Sequence, residues 1–231
     1  MELEGRITLI TGAKGGLGTP VTEAFLAAGA QVVGVSRSIK PGDFPHPRFT
    51  ALTSDLSSGA AAQKLAADVI AHFGRIDILI HVMGGFAGGS RVEETDEATL
   101  DQMLDVNYRA AFFICRAVLP QMRRQASGRI LAVASRQGVE PAAMVGAYSA
   151  SKAALVSLIH TIALENRDLG ISANTVLPGT MDTPGNRAGD PKADTSHWVQ
   201  PSQVAALLVH LASDAASQIT GAAIPVYGRQ A

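Results

Sequence analysis

The sequence predicts a doubly wound α/β fold, a seven-stranded parallel sheet flanked by helices, and three observations carry that prediction. Apolar, β-branched runs of about six residues recur along the chain, most of them followed by a segment with helical spacing. The runs are continuously apolar, as in Ile78-Leu79-Ile80, which suits strands covered on both faces. Glycines stand where helices should end, at Gly29, Gly74 and Gly170, where a residue tolerant of positive φ is needed.

In chain order, residues 6–11 read as the first strand and 17–28 as a helix. Residues 31–36 and 49–53 read as the second and third strands, separated by a proline-bearing stretch at 41–48. A helix over 57–73 starts at the N-cap candidate Ser57, and residues 77–83 form the fourth strand. Thr95 then precedes a long helix over 96–125. The fifth strand at 129–134, a helix at 147–169, the sixth strand at 171–177, a helix at 202–213 and the seventh strand at 222–226 complete the series. Because the alternation resumes after every interruption, residues 1–231 are read as one domain. The stretch 178–200 is longer than an ordinary connection and reads as a substrate loop.

Composition narrows the function classes. With 47% apolar and 17% charged residues the chain is globular and poor in charge, which favours buried surface between subunits. Lys+Arg 19 against Asp+Glu 20 provides no basic field for nucleic acid or an anionic membrane, so an anionic ligand must be held locally. The amino-terminal residues lack a signal-peptide pattern, and no apolar run approaches the ~18 residues of a membrane span. The expectation is a soluble, cytoplasmic protein. Cys115, the sole cysteine, falls in an apolar run and reads as core, and the six histidines show no metal-ligand spacing.

Between the first strand and its helix stands Thr11-Gly12-Ala13-Lys14-Gly15-Gly16-Leu17-Gly18. Glycines there let backbone approach a pyrophosphate, and a helix N-terminus supplies N–H groups and positive dipole. This makes the domain a Rossmann-type, dinucleotide-binding one. The second strand ends at Ser36-Arg37 where an acidic residue would hold an adenosine ribose. A cation there suits a 2′-phosphate, so NADP(H) is favoured over NAD(H), with Lys14 adding charge.

Tyr148 and Lys152 lie four apart in a helical stretch and share one face. A neighbouring ammonium favours the phenolate and lowers a phenol's pKa, making a tunable acid–base pair. Ser135 directly follows the fifth strand, at the sheet end where ligands collect in open α/β folds, and can donate to a carbonyl oxygen gaining charge.

Together these residues resemble the classical short-chain dehydrogenases/reductases along essentially the whole chain. The resemblance rests on Thr11-Gly-x-x-x-Gly16-x-Gly18, Asp55, Asn107, Ser135, Tyr148-x-x-x-Lys152 and Pro178-Gly179 in the family's order. It implies reduction of a ketone or aldehyde to an alcohol, with 3-oxoacyl thioesters among the candidate substrates. Tyr148 would be the general acid, Ser135 would polarise the carbonyl, and Lys152 would bind the nicotinamide ribose. Asn107 would hold a relay water. Asp55 and Leu56 would meet the adenine, while Gly84, Pro178, Gly179 and Thr183 would line the cofactor. A rival reading from another class is a non-catalytic NADP(H)-sensing protein, against which the full set of Asn107, Ser135, Tyr148 and Lys152 argues.

The chain departs from the family at His81-Val82-Met83-Gly84, where Asn-Asn-Ala-Gly is usual. The first Asn normally ties the central sheet, so His81 either substitutes for it or is an ordinary core histidine. The loops 84–89 and 177–187, with Trp198, are similar to those of dihydropteridine reductases, which makes a pterin substrate an alternative. Ser135 and Arg37 depart from that branch. The family also implies a homodimer or homotetramer, through helices that here carry Phe112, Phe113, Ile114, Leu155, Leu158 and Ile159.

Overall fold

The computed structural model describes residues 2–229; the ends of the predicted 1–231 domain, Met1 and residues 230–231, lie outside them. Seven parallel strands form one sheet in the order β3-β2-β1-β4-β5-β6-β7. They are β1 (Ile7–Thr11), β2 (Gln31–Ser36), β3 (Phe49–Thr53), β4 (Ile78–His81), β5 (Gly128–Val133), β6 (Ile171–Pro178) and β7 (Ala223–Val226). All seven predicted strands are present, with ends shifted by up to two residues. The order reverses at β1, which pairs with β2 on one side and β4 on the other, and a crevice opens beyond its carboxyl end.

Pleating divides the strand side chains between two cores. Leu9, Val33, Leu79 and Ile130 face one layer, which holds helices α2 (Gly59–Phe73), α4 (Ala110–Gln125) and α5 (Gly146–Asn166). Ile10, Val32, Ile80 and Leu131 face the other, against α1 (Gly18–Ala27) and α7 (Pro201–Ala212). Full burial of each such aliphatic side chain contributes roughly 1.5–3 kcal/mol, and this explains why the strands read as unbroken apolar runs. β7, at the sheet edge, carries Pro225 where a missing N–H costs least.

Three local expectations are corrected. The helix expected over 96–125 is interrupted: α3 (Glu97–Leu104) passes into a π-helical turn at Asp105–Arg109 before α4 begins. The N-caps are Ser58 and Asp96, each one residue beyond Ser57 and Thr95; their oxygens accept from Ala61 N–H at 3.2 Å and Thr99 N–H at 2.7 Å. The substrate stretch holds the short helix α6 (Pro184–Gly189), a single helical turn at Thr195–His197 and a bridge between Met181 and Val199. Gly29, Gly74 and Gly170 have the positive φ expected of them.

Candidate active site

A cleft of about 1790 Å³ runs along the carboxyl ends of the strands, and every residue predicted for cofactor or catalysis lines it except Asn107. The glycine loop forms one wall. Gly12 has φ +71° and packs so closely on the β4 exit that a Cβ would lie 2.8 Å from the Met83 nitrogen. A Cβ on Gly18 would sit inside contact distance of the Gly12 carbonyl. Among the described residues no side chain caps α1 at Leu17, and its first turn holds no acidic residue, so its positive end opens onto the cleft. This cradle fits a pyrophosphate.

Ser36 and the exposed Arg37 stand at the exit of β2, on the same wall. Lys14 is not a free cation: its Nζ donates to Asp43 Oδ1 at 2.9 Å, and Asp43 also accepts from Lys40 N–H at 2.8 Å. These bonds hold the Asp43 carboxyl below the usual range, the Lys14 bond most of all. Asp55 accepts from Ser57 N–H at 3.1 Å in an Asx turn, and it lines the cleft beside Leu56. Across the cleft Thr183 caps α6, accepting from Asn186 N–H at 3.2 Å. Its Cβ lies 3.0 Å from where a Cβ on Gly16 would stand. Pro178 and Gly179 continue this wall from the end of β6.

The reactive groups meet in the middle. Ser135 leaves β5 with its hydroxyl 2.5 Å from Gln137 Oε1 and in hydrogen-bonding relation to the Tyr148 phenol. Lys152, one turn after Tyr148 on α5, is buried; its Nζ donates to the Val133 carbonyl at 3.1 Å and lies 6.0 Å from the Tyr148 ring centroid. Burial brings the Lys152 ammonium down to about 8. The Tyr148 phenol moves up from its ordinary value because it is desolvated, a rise partly opposed by the Ser135 bond. That reverses the lowering expected from Lys152 in the sequence reading: burial dominates, opposed only by the Ser135 bond, and the phenol rests protonated.

Beneath the cleft lie two residues that hold it in shape. Asn107, fully buried in the π-helical turn, accepts from Gly85 N–H at 2.9 Å. Its amide donates to the Gly85 carbonyl and to Ser151 Oγ, each at 3.0 Å. It thereby ties the loop after β4 to α5. His81 bonds Thr11 Oγ1 through Nδ1 at 2.9 Å, joining β4 to β1 across the middle of the sheet. His81 is thus a buried core histidine that also bonds the neighbouring central strand through Nδ1. Desolvation and the nearby Lys152 charge bring its imidazole down to about 3, so it stays neutral. The sequence reading missed the Gly85–Asn107–Ser151 tie and the Lys152–Val133 bond, which span segments far apart in the chain. It also gave no role to Phe86, whose ring meets Tyr148 edge-on at 5.0 Å.

Comparison with known proteins agrees with this geometry. A family model described as short chain dehydrogenase matches residues 6–194. The chain is 31% identical to the D-threitol dehydrogenase of Mycolicibacterium smegmatis, with 98% of this chain and 93% of that protein covered. It is 30% identical to the 3-oxoacyl-(acyl-carrier-protein) reductase of Salmonella typhimurium, with 99% and 98% covered. Among solved structures, the crystal structure of gox2181 superposes with a TM-score of 0.91 at 28% identity, covering 98% of this chain and 95% of that one.

Proposed function

The chain belongs to the short-chain dehydrogenase/reductase family of NAD(P)-dependent oxidoreductases, and from that premise we propose that it reduces a ketone or aldehyde to an alcohol, using NADP(H) in preference to NAD(H). The observation that carries this reading is the convergence of Ser135, Tyr148 and Lys152 in the cleft that the glycine loop opens.

The bound dinucleotide supplies a hydride to the carbonyl carbon. Around it, the loop Gly12–Gly18 and the start of α1 would hold the pyrophosphate. Asp55 and Leu56 would meet the adenine, and Arg37 with Lys14 would hold the 2′-phosphate, for which Lys14 would exchange Asp43 for the ligand. Gly84, Pro178, Gly179 and Thr183 would enclose the nicotinamide, and Lys152 would meet its ribose. The Ser135 hydroxyl donates to the substrate oxygen, and Tyr148 gives that oxygen its proton as the C=O π bond breaks. The product is an alcohol, and the Tyr148 phenolate regains its proton from solvent. A phenol kept protonated by burial suits the acid role, while the Lys152 ammonium stabilises the phenolate that forms. Asn107 positions Lys152's helix and the Gly84–Gly85 loop.

The groove between α4 and α5, about 460 Å³ and lined by Phe112, Cys115 and Leu158, supports self-association as a dimer or tetramer. Ile114, Leu155 and Ile159, expected on the same surface, are instead buried against the sheet. The test of the catalytic reading is Tyr148→Phe. It should lower kcat for carbonyl reduction by about 10²–10⁴-fold with NADPH affinity retained; turnover equal to wild type refutes the assignment.

A further inference from the structure

The substrate end of the cleft has a wall that the catalytic assignment leaves unused. The segment after β4 carries Phe86, whose ring meets Tyr148 edge-on, centroids 5.0 Å apart and planes at 73°, while remaining 67% exposed. Large aromatic rings are usually placed where they are desolvated. This one is fixed from behind and open in front. A Cβ on Gly88 would lie 2.9 Å from Phe86 Cζ and 2.7 Å from Val145 Cγ1, so any larger residue there would displace the Phe86 ring or Val145. Gly89 N–H donates to the Met144 carbonyl at 2.8 Å, clamping the Phe86 segment to the loop that leads into α5. Met144 itself has φ +67°, unusual for a residue with a side chain, and 41% of it is exposed. The two loops are therefore locked together, with an apolar ring presented beside the acid–base tyrosine.

Charge in the cleft is segregated. Among the described lining residues the cations are Lys14, Arg37 and Lys152. The first two follow β1 and β2 at the far end, and Lys152 is buried with its Nζ on the Val133 carbonyl. The carboxylates in the lining are Asp55, Asp101, Asp105 and Asp190. No cation in that lining stands beside Phe86 to offset an anionic group on the substrate. Desolvating a carboxylate without a partner costs several kcal/mol.

We propose that Phe86 is a specificity-determining residue and that the substrate is a neutral carbonyl compound whose aryl ring, close to the carbonyl, packs on the Phe86 ring. This rests on the reductase reading above and narrows its substrate class. An aryl group laid there desolvates both rings, and its attached carbonyl lies within reach of Tyr148 and Ser135.

The test uses two matched ketones, phenylacetone and phenylpyruvate, which differ by a methyl against a carboxylate, together with butan-2-one, which lacks the ring. With NADPH, wild-type kcat/KM for phenylacetone should exceed that for phenylpyruvate by about 100-fold or more. Phe86→Ala should lower kcat/KM for phenylacetone by about 10-fold or more and alter that for butan-2-one by less than about 3-fold. Phe86→Leu, which keeps an apolar group if the alanine variant fails to fold, should fall between. Equal use of phenylpyruvate, or an equal loss on both neutral ketones in whichever variant folds, overturns the proposal. Absence of turnover of all three ketones by wild type that still binds NADPH overturns the reductase reading itself, and this inference with it.

Discussion

Lys152→Met should make the cofactor-free protein more stable at neutral pH while abolishing its activity. The Lys152 ammonium is buried beside a neutral His81, with the Val133 carbonyl as its hydrogen-bond acceptor. Its fall from 10.5 in the unfolded chain to about 8 in the fold means that holding the charge inside opposes folding by about 3 kcal/mol. The sign follows from proton counts. Below pH 8 both states carry the proton and the penalty is complete. Between 8 and 10.5 the folded protein has released a proton that the unfolded chain retains, so wild-type stability rises with pH, and above 10.5 the penalty is gone. Methionine fills similar volume without the charge, at the loss of one hydrogen bond to the Val133 carbonyl, about 1 kcal/mol. The net gain at pH 7 is then about 2 kcal/mol, or a Tm higher by about 4–8 °C for a chain of this size. Thermal unfolding of both proteins across pH 7–10.5, plotted as the difference, cancels the other titrating groups. A variant less stable than wild type at pH 7, or a difference that does not shrink as pH rises, would refute the reasoning.

The same geometry yields further expectations. Arg37→Asp removes the cation at the β2 exit and supplies a ribose acceptor, so the ratio of NADPH to NADH affinity should fall by at least about 10-fold in a fluorescence titration. An unchanged ratio would show that the 2′-phosphate is read elsewhere. Gly12→Ala places a Cβ 2.8 Å from the Met83 nitrogen at φ +71° and should destabilise the fold by about 1–3 kcal/mol in denaturant unfolding, with loss of NADPH binding. Leu158→Glu puts a carboxylate in the α4–α5 groove and should shift the molar mass in light scattering toward the monomer, whereas an unaltered assembly would place the subunit contact on another face.

How much of this was legible in the sequence depends on whether the cause is local. The strands were legible because burial on both faces leaves only apolar choices, and the glycine loop because close backbone packing excludes a Cβ at Gly12 and Gly18. The Tyr148–Lys152 pair was legible because helical spacing alone puts the two on one face. The π-helical turn was not, since it is stabilised by Asn107 bonding Gly85, 22 residues away, and Ser151, 44 away. Lys14 read as a free cation because Asp43, its partner, lies beyond β2 and its loop. Phe86 sits in a glycine-rich run that reads as flexible loop, and its place beside Tyr148 depends on the Gly89–Met144 clamp.

The direction of the Tyr148 shift is the instructive failure. Counting charges along one helix face puts an ammonium beside a phenol and lowers the phenol's pKa, but the same packing that brings the two together also removes water from both. Desolvation disfavours the charged form of each, so the phenol goes up from its ordinary value while the ammonium comes down to about 8, and the two values move apart. Lys152 therefore gives up its proton more readily than Tyr148, and burial keeps the phenol as the protonated member of the pair. The buried partners follow from the same logic. His81 in place of an asparagine is tolerable beside Lys152 only because it is neutral, and its bond to Thr11 joins β4 to β1 beneath the cleft. Among the described residues, buried charge is confined to Lys152 beside the cleft and to Asp77, which is paired with Arg75, while Lys14 and Arg37 stand at the rim of the cleft. A chain with a net charge of −1 can in this way hold an anionic dinucleotide without a basic surface.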